Sequence, residues 1–278
     1  MRITNEHIET FLQQGVVIIP HFFTAEETRG ARAAFDTIYP PYDEWVKRGK
    51  PGPNLERRSG HELFPWNDSR LNFLAAHPDV IDAAERLIGT REIRLCDADL
   101  SVRYAGDKSD TGFHLDYANN TLGPYLPRDR SNVSFVINLA EITKGTAPTY
   151  VIPDGKSDGE GIHMIVPEGS VCIYSSISTR HTSTPFTAPT GYRANMWAIF
   201  SRKDRLWDGG RWFTYKGGVP YPQMTRFIVE ASPRQLELLG FPPPGDPLWT
   251  DEFAAAMARR YPGFDASRYA TKAMLAMA

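Results

Sequence analysis

Between residues 91 and 200 the chain breaks into a succession of short apolar runs, at 91–104, 112–117, 131–140, 148–153, 162–167, 170–176 and 192–200. Turn-forming residues punctuate them: Gly106-Asp107, Pro153-Asp154-Gly155, Pro167-Glu168-Gly169 and Pro189-Thr190-Gly191. Short strands separated by such signals fold as an all-β sandwich or jelly roll, because no single strand is long enough to bury a face alone. Hydrophobic residues at 41% and aromatics at 12% supply the core that such a fold needs. No internal repeat of solenoid length interrupts this reading.

Helical patterns flank the strand-rich block. Ile8, Phe11 and Leu12 recur at helical spacing after a Thr4 or Asn5 cap, with Gly15 as the stop. Val16-Val17-Ile18-Ile19 reads as a buried strand. Thr24 and Glu27 form a capping box that opens a helix running to about Ile38, and Asp79 to Ile88 is an amphipathic helix closed by Gly89. Residues 40–70 carry Pro40-Pro41, Pro51-Gly52-Pro53 and a basic cluster of Lys47, Arg48, Lys50, Arg57 and Arg58, which predicts a lid-like loop. Beyond residue 203 the sequence is aromatic and proline-rich, with a last helix at Asp251 to Tyr261. One domain of 278 residues is expected: a helical flank (1–90), a jelly-roll core (91–203) and a wrap (204–278) with too few periodic apolar residues for its own core.

The net charge of -2 offers no attraction to nucleic acid or to an anionic membrane. The N-terminus lacks the apolar segment of a signal peptide, and no run reaches the ~18 apolar residues of a membrane span. A cytoplasmic protein acting on a small molecule is the expectation; oligomeric state is not legible. Cys96 and Cys172 both sit in strand-like runs and read as buried free thiols, with a disulfide as the alternative.

The chemistry concentrates at Gly112-Phe113-His114-Leu115-Asp116-Tyr117. On a strand, side chains alternate, so His114 and Asp116 share a face while Leu115 points away. With a third ligand from a neighbouring strand they would form a 2-His-1-carboxylate facial triad, which suits Fe(II) and leaves positions open for O2 and substrate. His181 is the candidate third ligand. Arg193 follows inside an apolar strand, where a guanidinium needs either an internal Asp or Glu or the carboxylate of a diacid such as 2-oxoglutarate. His61 and His77 have no ligand-spaced partner and read as surface or internally satisfied histidines.

In this order the segments resemble the phytanoyl-CoA dioxygenase (PhyH-like) branch of the Fe(II)/2-oxoglutarate oxygenases. The resemblance spans most of residues 8–203: Gly15 to Pro20 with the Thr-Ala-Glu-Glu helix start, Phe113 to Tyr117, Tyr150-Val151-Ile152-Pro153, Pro167 to Val171, and Arg180-His181-Thr182-Ser183 to Arg193. The tail from Ser232-Pro233-Arg234-Gln235 to Gly245 is also similar to tails in bacterial members. It implies a double-stranded β-helix (cupin-like jelly-roll) barrel, His114, Asp116 and His181 as iron ligands, and Arg193 on the distal carboxylate of 2-oxoglutarate with Ser183 assisting. It implies hydroxylation of an unactivated C–H bond with succinate and CO2 as coproducts, while the aromatic-rich flanks suit a small, largely apolar substrate such as a secondary metabolite or lipid-like molecule.

Two features depart from the family pattern. Leu115 stands where a glutamine is frequent, and Pro153-Asp154-Gly155-Lys156 replaces a Pro-Gly-Ser-His loop, so no role is carried over to that loop. Asp116 separates the chain from halogenating relatives, which have a small residue there. Two other readings use the same ligands: a metal-dependent cupin-like isomerase or hydrolase, and a ligand-binding barrel without catalysis. The first has no use for Arg193, and the second no need of three ligands.

Overall fold

The computed structural model describes residues 2–49, 59–108, 112–115, 128, 130–175, 178–203, 214–215, 219–220, 222–239, 241, 243–246, 249 and 251–269. Helix α1 (Asn5–Gln14) starts from a Thr4–His7 capping box and stops where Gly15 turns left-handed at φ 73°. Its Phe11 is fully buried, but Leu12, expected on the same stripe, is 48% exposed. Strand β1 (Val16–Ile19) follows, then α2 (Ala25–Ile38) behind the Thr24–Glu27 capping box. Both match the sequence expectation.

Region 40–70 holds more regular structure than its proline and glycine content predicts. It contains α3 (Tyr42–Lys47), β2 (Ser59–Leu63) and the start of α4 (Ser69–Ala75). Strand pairing overrides local propensity here, since β2 has a complete antiparallel register with the next strand. Lys50, Arg57 and Arg58 of the basic cluster lie outside the described residues. Helix α5 (Pro78–Ile88) is capped by His77, whose Nδ1 accepts the Asp79 N–H at 3.2 Å, and closed by left-handed Gly89. That accounts for His77.

The strands that follow are β3 (Ile93–Tyr104), β4 (Asn132–Asn138), β5 (Thr149–Val151), β6 (Ile162–His163), β7 (Val171–Tyr174), β8 (His181–Ser183) and β9 (Tyr192–Arg202). Six strands form an antiparallel sheet in the order β1-β7-β4-β9-β3-β2, and β6-β5-β8 form a second antiparallel sheet. Both edges of the large sheet, β1 and β2, come from the segment expected to flank it. Of the expected strand at 112–117 only residues 112–115 are described, and among them His114 bridges to His181; Asp116 and Tyr117 lie outside the described residues.

Alternation along the large sheet separates two environments. Val17, Ile19, Leu100, Phe135, Ile137, Ile173, Met196 and Phe200 pack with α1, α2, α4 and α5 into the main core. Val16, Val136, Cys172 and Tyr174 point the other way and meet Val151 of β5 with Met164 and Val166, so the two sheets face each other across this second cluster. The inner face of β3 and β9 carries polar residues instead: Asp99, Ser101 and Arg103 opposite Trp197, Asn195 and Arg193. Cys96 and Cys172 are buried free thiols, and burial raises both to about 12.

The β4–β7 corner depends on Gly169. It is left-handed at φ 79°, its N–H donates to the Asn138 carbonyl at 2.9 Å, and its carbonyl accepts the Phe23 N–H at 2.8 Å. A Cβ there would lie 2.4 Å from the Phe23 carbonyl oxygen.

The C-terminal region adds β10 (Thr214–Tyr215), β11 (Val219–Pro220), α6 (Pro222–Glu230), α7 (Pro233–Glu237) and α8 (Asp251–Arg260). Of these, only α8 is expected from the sequence. Phe227, Leu236, Trp249, Met257 and Tyr269 join the main core, so the wrap shares that core. No helix among the described residues is long and apolar enough to cross a membrane.

Candidate active site

His181 opens β8 and pairs with Val151 of β5. His114 is bonded to it through both backbone groups, N–H to carbonyl at 3.0 Å and 3.1 Å. This is the narrow two-bond pair of an antiparallel ladder, which sets both side chains on one face. The imidazole centroids are 4.4 Å apart. Each ring is turned the same way: Nδ1 of His114 lies 2.8 Å from the Gly112 carbonyl, and Nδ1 of His181 lies 3.2 Å from the Thr179 carbonyl. A carbonyl only accepts, so Nδ1 carries the proton in both and Nε2 carries the lone pair. This is the tautomer that a metal-binding histidine needs.

The third expected ligand, Asp116, lies outside the described residues. Among the described residues no group of three or more His, Cys, Asp or Glu side chains is placed to hold a metal ion. The structure therefore brings two of the three expected ligands together.

Arg193 lies on β9, 4% exposed, with its side chain on the polar inner face. Its Nη1 donates to the Ala147 carbonyl at 2.5 Å, and Ala147 is a rare left-handed non-glycine at φ 56°. Its Nε has no partner, and no described carboxylate comes within ion-pairing distance. Arg103, its direct partner on β3, is equally buried but is held by Asp107 at 2.7 Å and by the Thr184 carbonyl at 2.7 Å. Burial, and then the Arg103 charge, push the Arg193 guanidinium down to about 9. The internal ion pair left open by the sequence is absent among the described residues. Among the described residues, then, Arg193 is a buried cation with no carboxylate within ion-pairing distance.

Ser183, two residues beyond His181 on the same face of β8, is half-buried and stands opposite Thr149. The Pro153 to Lys156 loop is structural. Asp154 binds Arg130 at 2.5 Å, and its N–H donates to the Gln14 carbonyl, tying the loop to α1.

Sequence reasoning missed four participants. Tyr174 places its hydroxyl 3.4 Å from Nε2 of His181 and its ring against that imidazole. Asn195 and Trp197 share the inner face with Arg193, and each buries a side-chain atom with no partner among the described residues, Oδ1 of Asn195 and Nε1 of Trp197. His61, expected as a surface or internally satisfied histidine, is exposed and bonds Asp99 of the adjacent strand through Nδ1 at 2.9 Å, the partner being what the sequence leaves out. The signal available was the period-two polar pattern Arg193, Asn195, Trp197 inside an otherwise apolar strand.

No family model and no curated protein matches the chain. Solved structures do. The non-heme alpha ketoglutarate dependent carbocyclase SnoK from nogalamycin biosynthesis aligns at TM-score 0.59 and 18% identity, over 75% of this chain and 87% of that one. The epimerase SnoN, solved with Fe3+, alpha ketoglutarate and nogalamycin RO, aligns at TM-score 0.56 and 14% identity, over 78% and 92%. EctD from S. alaskensis, solved with 2-oxoglutarate and 5-hydroxyectoine, aligns at TM-score 0.58 and 19% identity, over 74% and 79%. The chain shares their fold. At these identities the likeness concerns architecture alone, and function rests on the side chains.

Those side chains fit an iron and 2-oxoglutarate. His114 and His181 both turn Nδ1 to a backbone carbonyl, and Arg193 meets no carboxylate among the described residues, a donor set that suits a metal and a dianion.

Proposed function

We propose that this chain is a non-haem Fe(II)/2-oxoglutarate-dependent dioxygenase of the PhyH-like type, built on a double-stranded β-helix barrel. It would hydroxylate an unactivated C–H bond of a small, largely apolar molecule such as a secondary metabolite or lipid. The observation that carries this reading is Arg193, which meets no carboxylate among the described residues: a charge buried without an anion costs several kcal/mol unless a ligand supplies one. An isomerase or hydrolase in the same barrel would leave that cost uncompensated.

His114, Asp116 and His181 would hold the iron, and Arg193 would take the distal carboxylate of 2-oxoglutarate with Ser183 beside it. When bound, iron and 2-oxoglutarate supply the oxidising chemistry, with O2 as oxidant and succinate and CO2 as coproducts. The chain's own part is placement. The Gly112 and Thr179 carbonyls fix the two imidazoles as Nε2 donors. The Ala147 carbonyl aims the Arg193 fork. The apolar cluster of Val136, Val151 and Met164 keeps water from the floor between the sheets, where a low dielectric strengthens the guanidinium–carboxylate pair.

Anaerobic titration of the Fe(II)-loaded protein with 2-oxoglutarate tests this. A weak visible charge-transfer band that saturates with 2-oxoglutarate is expected, and wild-type protein without such a band would overturn the assignment.

A further inference from the structure

Next to Arg193, the inner face of β3 and β9 holds three more unsatisfied polar atoms within two adjacent rows of the sheet. Asp99 and Trp197 are direct partners across the strands, and Asn195 is one row away, opposite Ser101. Oδ1 of Asp99, Nε1 of Trp197 and the side-chain oxygen of Asn195 are all buried and have no hydrogen-bond partner among the described residues. Leaving a hydrogen bond unmade at a buried atom is costly, so three in one place are a feature that needs a cause. Asp99 and Trp197 are an acceptor and a donor on directly opposed positions, yet they do not bond each other. A third group between them would satisfy both.

The donor set restricts what that group is. Asp99 and Asn195 offer acceptors and Trp197 offers an N–H. A carboxylate or phosphate would meet the Asp99 carboxylate and be repelled. An ammonium would face the uncompensated Arg193 cation, while His61 already engages the other Asp99 oxygen. An ether or ketone satisfies Trp197 only. A hydroxyl both donates and accepts, so it answers Asp99 and Trp197 together, and a neighbouring hydroxyl answers Asn195.

We propose that Asp99, Trp197 and Asn195 form a substrate-recognition wall selecting a neutral alcohol, phenol or polyol, with His61 positioning Asp99. This rests on the oxygenase reading only in assigning Arg193 to the cosubstrate and this wall to the substrate. It also narrows the substrate from largely apolar to apolar with a hydroxyl at the end that meets β3 and β9.

The test uses the full chain, 15N-labelled, with Zn(II) as a diamagnetic stand-in and with or without 2-oxoglutarate. The indole N–H signals of its six tryptophans are followed, and Trp197→Phe assigns the relevant one. The probes are cyclohexanol and 2-naphthol, each with its methyl ether and matching carboxylate. The alcohols are expected to move the Trp197 signal and to bind at least about tenfold more tightly than ether or carboxylate, since a site built for a hydroxyl leaves its polar groups unpaired with the analogue. Asp99→Leu and, independently, Asn195→Leu should each reduce that preference. Equal binding of alcohol and ether, or a Trp197 signal unmoved by either alcohol, would overturn the wall. Alcohol preference without any 2-oxoglutarate binding would leave the wall standing and sink the oxygenase assignment. The reverse pattern would sink the wall alone.

Discussion

Arg103 and Arg193 stand directly opposite each other across β3 and β9, both almost fully buried, and of the two only Arg103 has a described carboxylate partner. Two guanidiniums at neighbouring positions repel, and burial amplifies the repulsion. A fold tolerates this arrangement where the missing charge arrives with a ligand.

Replacing Arg193 should therefore separate function from stability. Arg193→Ala is expected to raise the Kd for 2-oxoglutarate at least about tenfold, because a bidentate charged pair contributes more than ~1.4 kcal/mol. Arg193→Leu should weaken binding as much while raising the melting temperature of the ligand-free protein. It removes an uncompensated charge and loses only the Ala147 carbonyl bond, which contributes about 1 kcal/mol. Calorimetric titration and thermal unfolding read both. An unchanged Kd would make Arg193 structural.

The histidine pair leads to a prediction about metal uptake. Both Nδ1 atoms face backbone carbonyls, so Nε2 is the atom through which each ring would ligate a metal. His114→Ala, His181→Ala and Asp116→Ala should each weaken Fe(II) binding by at least about 100-fold, as expected when a ligand itself is removed rather than its outer partner. Equilibrium dialysis measures it. Retention of full affinity by Asp116→Ala would take Asp116 out of the ligand set.

Gly169 makes a purely structural claim. Gly169→Ala would put a methyl group 2.4 Å from the Phe23 carbonyl oxygen while forcing alanine into a left-handed backbone. The two costs together exceed ~2 kcal/mol. The same turn sets the register of β4 against β7 through Asn138, so the loss should appear as a lower denaturation midpoint with an unchanged m-value. A midpoint equal to wild type would mean that the loop opens at no cost.

The parts legible in the sequence are those written in a local code. The Thr24–Glu27 box and the Gly15 and Gly89 stops each follow from neighbours in the chain, and each appears as expected. Strand β2 was hidden because its Gly60 and Ser59 have poor strand propensity, and only pairing with β3 stabilises it. The partner of His61, Asp99, is distant in sequence and no local pattern gives it. His114 was recognised for its spacing to Asp116, but what positions it is the backbone bond to His181 across the second sheet, a contact no local pattern encodes.

The His61–Asp99 pair makes stability depend on pH in a defined direction. The bond to Asp99 raises His61 above its ordinary 6.5, against burial and the Arg193 charge, which lower it. A base whose pKa is raised on folding adds stability that is fully present below the unfolded value and is lost as pH rises through the folded one. His61→Gln keeps a donor for Asp99 but cannot titrate. The melting-temperature gap between wild type and His61→Gln should therefore be widest at about pH 5.5 and close by about pH 9. With the imidazole 60% exposed, added salt should shrink the acidic-side gap as well. A gap independent of pH would show that the imidazole is not charged against Asp99, and that Asp99 carries its negative charge into the recognition wall alone.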